Sequence, residues 1–346
     1  MTTLRRALLA ATALLFTSSG HAAADTSVAD FFRDKTIRLL VGTTPGAGYD
    51  IIARLLAAHI GRRIPGQPKF VVENMPGAGS LTMVNFLYNR AARDGTAMGL
   101  PLNGVVLEPT LKLMSRAGGN ANFDIDKMHW IGTPSDQPQV LWYKTSSNIA
   151  TFADAQARKS IVGASSTAAD NYIVARLTNQ LLGAKLDIVS GYPGTNDIFL
   201  AAERGEVDGS ATAYSAITAS RPSWLPENKI RIVLQYGAER LPELPDVPTA
   251  AEIASDAESR EMLRFFAVKF KAAYAFVLPP EVPAARVEAI RTAFDETMRD
   301  TDFIADMRKN AITLSPLGGV ELTTLIRSTY AMPQASIARL QAAIGQ

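Results

Sequence analysis

The chain has 346 residues, of which 47% are hydrophobic, with 35 Lys+Arg against 33 Asp+Glu and no cysteine. The near-neutral balance leaves no electrostatic footprint for nucleic acid or anionic lipid, and the missing thiols exclude disulfides and thiolate metal sites. The length exceeds what one hydrophobic core comfortably organises, so two domains are expected.

Arg5 and Arg6, the apolar run 7–16 and the small residues Ala22-Ala23-Ala24 read as a secretory leader, residues 1–24, cleaved after Ala24. Its removal takes away two arginines and no acids, which brings the mature chain to neutrality. The run is too short to cross a bilayer, and no later stretch approaches about 18 uninterrupted apolar residues. The mature protein is therefore expected to be soluble and periplasmic.

The first β-like run, 37–41, leads into Pro45-Gly46-Ala47-Gly48 and a helix over 50–64. The pattern then repeats: 70–72 is β-like, Pro76-Gly77-Ala78-Gly79 follows, and a helix is predicted over 81–91. Strand, glycine turn and helix together aim free backbone N–H groups and a positive helix end at one point, where an anion is stabilised. Further strands are predicted at 97–102, 130–132, 140–143 and 160–164. Ser165-Ser166-Thr167 then leads into a helix over 170–182, whose Ile173, Val174, Leu177 and Leu181 share a face. A strand over 186–189 precedes Gly194-Thr195-Asn196-Asp197, which opens a helix with good N-cap residues. A strand at 231–235, an extended proline-punctuated stretch over 241–249, a strand at 273–278 and two amphipathic helices over 284–299 and 322–344 complete the chain. Strands alternating with helices predict an α/β fold. The domains are expected to be 25–140 with 272–346, and 141–271, joined by several passes of chain around a cleft.

Lys35-Thr36-Ile37-Arg38-Leu39-Leu40-Val41 with Pro45 to Leu56, Val71 to Gly79, Asp94-Gly95-Thr96, Leu244 to Glu252, and Ala275-Phe276-Val277-Leu278-Pro279 recur in order over most of the mature chain. In these pieces the sequence resembles the extracytoplasmic solute-binding proteins, or Bug receptors, of the tripartite tricarboxylate transporter family. The resemblance implies a type II periplasmic-binding-protein fold, with two α/β lobes hinged over a carboxylate held by helix N-termini and loops. It also implies delivery to the membrane subunits of such a transporter. Tyr49 stands where many members carry Thr or Ser, the turn over 165–171 lacks the expected glycines, and Thr212 falls near an expected Asp.

The expected ligand-binding residues are Gly46, Ala47, Gly48 and Tyr49 in the first turn and Gly79 and Ser80 in the second. Asn103 joins them at a strand's C-terminal end, where open α/β sheets bind ligands. The second lobe is expected to contribute Ser165, Ser166, Thr167, Thr195, Asp197 and Tyr214. Competing roles exist for several: Ser80 as a helix cap, Asp197 as a charge favouring its helix N-terminus, Tyr214 as a core tyrosine. Neither turn is followed by the Lys of a phosphate-binding loop or has the third glycine of a dinucleotide fingerprint. With the leader gone only His59 and His129 remain, both read as structural. No catalytic motif appears, Glu203, Glu206 and Asp208 read as a solvated face, and no cofactor or metal is called for. The expected function is capture of a small organic acid by lobe closure and its hand-over to a transporter, by a monomer without catalytic activity. A sensor receptor and a carboxylate-processing enzyme are the alternatives. Tyr49, Tyr172, Tyr192 and Tyr214 together hint at an aromatic or longer-chain acid.

Overall fold

The computed structural model describes residues 27–116 and 119–345. The leader expected at 1–24 lies outside them. Strands β1 (Thr36–Val41), β2 (Lys69–Asn74), β3 (Ala97–Leu100) and β4 (His129–Thr133) come first, followed by β5 (Gln139–Lys144), β6 (Ser160–Ala164), β7 (Leu186–Ser190), β8 (Gly209–Ala213) and β9 (Ile230–Gln235). β10 (Phe276–Leu278) and β11 (Leu317–Gly318) close the series. They form a six-stranded sheet of order β11-β4-β10-β3-β1-β2 and a five-stranded sheet of order β7-β6-β8-β5-β9. The chain crosses from the first sheet to the second between Thr133 and Gln139, and returns between Lys271 and Phe276.

β1 lies parallel to both β2 and β3, with Val41 opposite Asn74 and Leu100. The two glycine turns and Asn103 therefore leave the same edge of the first sheet. In the second sheet β6 is parallel to β7 and β8, so the loops after Ala164, Ser190 and Ala213 likewise share one edge. The central strands β1 and β5 alternate between two cores, as the two-residue period requires. Ile37, Leu39 and Val41 join a cluster with Ile52, Leu56, Phe294 and Phe303, whereas Leu40 joins the other face with Met83 and Val84. In β5, Val140 and Trp142 pack with Phe199 and Trp224, while Leu141 and Tyr143 face Val174 and Leu177.

The structure departs from the sequence expectation in several elements. The helix predicted over 322–344 is two helices, Gly319–Ser328 and Gln334–Ala343, because Pro333 cannot continue the ladder and forces Met332 to an extended conformation. The second of these helices touches Asp170–Leu182, Ala257–Lys271 and Glu108–Leu111, so the chain end lies against elements associated with both sheets. Helices Ala257–Lys271, Thr301–Lys309 and Tyr214–Ser220 had no sequence forecast. The stretch 241–249 is held by Gln235, whose side chain donates to the Leu244 carbonyl at 2.9 Å and the Val247 carbonyl at 2.6 Å. It ends in a capping box in which Thr249 and Glu252 satisfy each other's backbone at the start of Ala250–Ile253.

Candidate functional site

In the first turn only Gly46 needs a left-handed backbone, at φ +80°, and Ala47 is already extended as the N-cap of helix Gly48–Ile60. Asp50 holds this shape from inside the helix. Its carboxylate accepts from the Gly46 amide at 2.8 Å, from Arg54 Nε at 3.0 Å and from Asn74 Nδ2 at 2.9 Å. Asn74 also donates to the Thr43 carbonyl at 3.0 Å, which ties the end of β2 to the end of β1. The Arg54 hydrogen bond, aided by the Gly46 amide and Asn74, lowers the Asp50 carboxyl to about 2. Its charge is thus spent on the turn.

The amides of Gly48 and Tyr49 make no hydrogen bond to a described residue. Gly46 and Gly48 are exposed and Ala47 is half-buried. A Cβ on Gly46 would meet nothing within 4 Å, and one on Gly48 only the Tyr274 hydroxyl at 4.0 Å. These are the marks of an open helix N-terminus able to receive an anion. Tyr49 does not project into that space. It is 7% exposed, its hydroxyl accepts from the Asn103 amide at 3.1 Å, and its ring packs at 4.6 Å on Tyr274. Burial raises the Tyr49 phenol well above its usual value, with Tyr274 and Asp170 adding to the shift.

The second turn is built otherwise. Gly77, Ala78, Gly79 and Ser80 all have positive φ, at 137°, 45°, 64° and 79°. Ser80 is fully buried, donates to the Gly42 carbonyl at 3.0 Å and accepts from the Leu102 amide at 3.1 Å. Its hydroxyl makes no side-chain cap for helix Leu81–Asn89; it fastens the end of β1 to the segment after β3. Gly79 is exposed, but a Cβ there would lie 2.6 Å from Met114 Sδ. Asn103 is 9% exposed and contributes its amide to Tyr49.

On the second sheet, Asn171 plays the part of Asp50. Its Oδ1 accepts from the Ser165 amide at 3.1 Å, and its Nδ2 donates to Ser165 Oγ at 2.9 Å. Ser166 and Thr167 are exposed beyond this clamp, while Thr195 and Asp197 are half-buried at the start of helix Thr195–Arg204. Asp197 turns back toward its own helix entry, with Oδ2 at 3.6 Å from where a Gly194 Cβ would stand. Asp170, beside the Ser165 turn, is paired with Lys269. Lys269 is 3% exposed, and its ammonium also lies 5.1 and 5.5 Å from the ring centroids of Phe266 and Phe270. The carboxylate and ring faces offset the cost of burying it. Thr212 is 2% exposed and accepts from Trp142 Nε1 at 3.0 Å, a core contact.

Tyr214 is half-buried and donates its amide to the Pro138 carbonyl at 3.1 Å. It lines a groove of about 530 Å³ bounded by the crossovers at Ser135 and Tyr274, the 237–243 loop and the 312–315 loop. None of the other expected ligand residues lines this groove. Tyr274, which lines the groove, also stands with its hydroxyl 4.0 Å from where a Gly48 Cβ would lie, so the groove and the first turn share this residue. The four tyrosines do not form one group: Tyr49 meets Tyr274, whereas Tyr192 and Tyr214 pack against the cluster of Trp142, Phe199 and Trp224.

The histidines lie elsewhere. His59 Nε2 is 2.9 Å from Asp306, and its Nδ1 is 3.2 Å from Arg62. Burial, then Arg291, lowers the His129 imidazole. Tyr274 and Gln137 are the residues sequence reasoning missed. Gln137 Nε2 donates to the Tyr274 hydroxyl at 3.0 Å and the Gln137 amide donates to the Phe270 carbonyl at 2.9 Å, so the two crossovers are bonded to each other. The only sequence signal was an aromatic residue in the run 273–278.

Among known proteins, the chain is 27% identical over 255 residues to a UPF0065 protein encoded in the gbd 5' region of Cupriavidus necator, covering 72% of each. In structure it is similar to a TctC solute-binding protein from Polaromonas, with TM-score 0.69 at 15% identity over 88% of this chain and 98% of that one. It is also similar to MatC of Rhodopseudomonas palustris, solved with bound malate, with TM-score 0.58 at 19% identity over 90% and 99% of the two chains. The family model described as the tripartite tricarboxylate transporter family receptor matches residues 52–340. The chain therefore belongs to the receptor family of the tripartite tricarboxylate transporters, whose members are periplasmic solute-binding proteins of two-lobed α/β architecture.

Proposed function

We propose that this receptor captures a small organic acid with at least one carboxylate, and hands it to the membrane subunits of a tripartite transporter. One observation carries the reading. The exposed N-terminus of helix Gly48–Ile60 keeps the Gly48 and Tyr49 amides unbonded, although Asp50 sits one residue further on. Because Asp50 is neutralised by Arg54 and occupied by Gly46 and Asn74, the positive helix end is left to an incoming anion. Backbone amides suit the task because an empty site of this kind buries no uncompensated charge. Malate bound to the Rhodopseudomonas protein supports a carboxylate as the ligand class.

In this reading residues 1–24 are an export leader, 25–133 with 276–346 form the first lobe and 139–271 the second, which moves the expected boundary at 140 back to the start of β5 at Gln139. The crossovers at 134–138 and 272–275 form the hinge, and the ligand shifts the equilibrium toward the closed arrangement. Of the residues expected from sequence, the Gly48 and Tyr49 amides hold the carboxylate, the Tyr49 ring and Ser80 brace the site from beneath, and Ser166 and Thr167 meet the ligand from the second lobe. The protein works as a monomer and returns its ligand unchanged. Thermal unfolding of the leaderless protein against succinate, malate, adipate, citrate and aromatic acids tests this. A selective acid at about a hundred times its Kd should add about 2.7 kcal/mol, a shift of several degrees. No shift with any acid, after removal of co-purified ligand, would overturn the reading.

A further inference from the structure

The first turn has one neighbour that its sequence does not announce. Tyr274, in the second crossover, is the nearest atom source to a side chain built on Gly48, its hydroxyl standing 4.0 Å away. It is 8% exposed, and its oxygen accepts from Gln137 Nε2 at 3.0 Å. The proton of that hydroxyl goes to no described acceptor. Burial pushes the phenol up to about 12, so the proton stays in place at neutral pH. Tyr274 also lines the groove at Tyr214, so the proton of its hydroxyl is open to an acceptor from outside the chain. Beside it lie the two unbonded amides of Gly48 and Tyr49. The Tyr274 hydroxyl and the two amides thus stand at one helix entrance, and none of the three donates to a described acceptor.

We propose that Tyr274 is a ligand-contacting residue, donating its hydroxyl proton to the carboxylate seated on the Gly48 and Tyr49 amides. This rests on the receptor reading above and adds to it a specific side chain from the hinge. Tyr274 has φ +57°, a conformation that non-glycine residues seldom adopt, and through Gln137 it is bonded to the other crossover. A carboxylate bonded to Tyr274 is therefore bonded to the point about which the two sheets are joined. Ligand occupancy of the first turn is read at the hinge directly, without first requiring contact with the second lobe. The same contact sets specificity: the site asks for an acceptor oxygen, and an ester or amide in place of the carboxylate weakens it.

Titration calorimetry of the leaderless protein and its Tyr274→Phe variant with succinate, malate and adipate tests the assignment. Phe keeps the ring against Tyr49 and deletes only the hydroxyl. A hydrogen bond to a charged group corresponds to about tenfold or more in Kd, so the variant should bind at least about tenfold more weakly, while its unliganded Tm falls by no more than a few degrees through loss of the Gln137 bond. A purely packing role for the ring predicts equal affinity, and that result overturns the assignment while leaving the receptor reading intact. Failure of the unmodified protein to bind any of the three acids counts against the receptor reading and takes this assignment with it. If Tyr274→Phe does not fold, Gln137→Met decides. It frees the phenol from its orienting partner and should weaken binding severalfold; unchanged affinity overturns the proposal.

Discussion

Pro45-Gly46-Ala47-Gly48 and Pro76-Gly77-Ala78-Gly79 have the same four residues, yet they fold into different objects. The first uses one left-handed glycine and enters a regular helix at Gly48, whose N-terminal amides stay open. The second strings four left-handed residues together and buries Ser80 beneath them. The difference comes from the residues that follow. After the first copy, Asp50 reaches back to the Gly46 amide and fixes a tight entry from within the helix. After the second, Ser80 points into the sheet edge and joins the Gly42 carbonyl to the Leu102 amide. One turn leaves its helix amides open, and the other is a brace between the ends of β1 and β3. A repeated motif therefore does not imply a repeated site: local composition permits both shapes, and the hydrogen-bond partners downstream select between them.

The comparison can be broken most severely at Gly42. A Cβ there would lie 2.1 Å from Ser80 Oγ and 2.6 Å from Ser80 Cβ, so Gly42→Ala forces the brace apart. Overpacking of this kind together with two displaced buried hydrogen bonds should cost about 3 kcal/mol or more, read as a lowered urea midpoint. Asp50→Asn tests the first turn in the same way with a smaller effect. The folded-state carboxyl is lowered to about 2, so its contribution is present above the unfolded value near 4 and is lost as pH falls through 2. The variant should be about 2 kcal/mol less stable at pH 7, and its deficit should shrink between about pH 4 and pH 2. A deficit independent of pH would show that the charge is not what holds the turn. Gly48→Val should have the smallest effect on stability, within about 0.5 kcal/mol, because the site is open and its φ is not left-handed. Its effect should fall on ligand binding, which the added methyls obstruct. Undiminished affinity in that variant would place the ligand elsewhere, with the groove at Tyr214 the first alternative.

The second sheet carries a weaker echo of the same logic. Asn171 clamps the Ser165 amide as Asp50 clamps Gly46, although that turn contains no glycine. The expectation of glycines there looked for a backbone device where the chain uses a side chain. Asp170 lies next to this turn, but Lys269 from a distant helix takes its charge, leaving the neighbouring hydroxyls of Ser166 and Thr167 to face outward.

The sequence by itself determined the α/β alternation, most strands, the first glycine turn and the family likeness. These signals are local: a two-residue apolar period, a glycine between strand and helix, or a cap residue is written within a few positions. Elements with mixed faces were harder. Helix Ala257–Lys271 buries Lys269 among phenylalanines, and the break at Pro333 divides what periodicity alone joined. Tertiary structure alone decided which turn amides stay free, that Tyr49 braces rather than lines the site, and that Ser80 is consumed by the sheet edge. It alone brought Gln137 and Tyr274, 137 positions apart, to the floor of the first turn. The physical reason is that a donor's availability depends on whether any acceptor lies within about 3 Å of it, a condition set by every other part of the folded chain and by no pattern in its own neighbourhood.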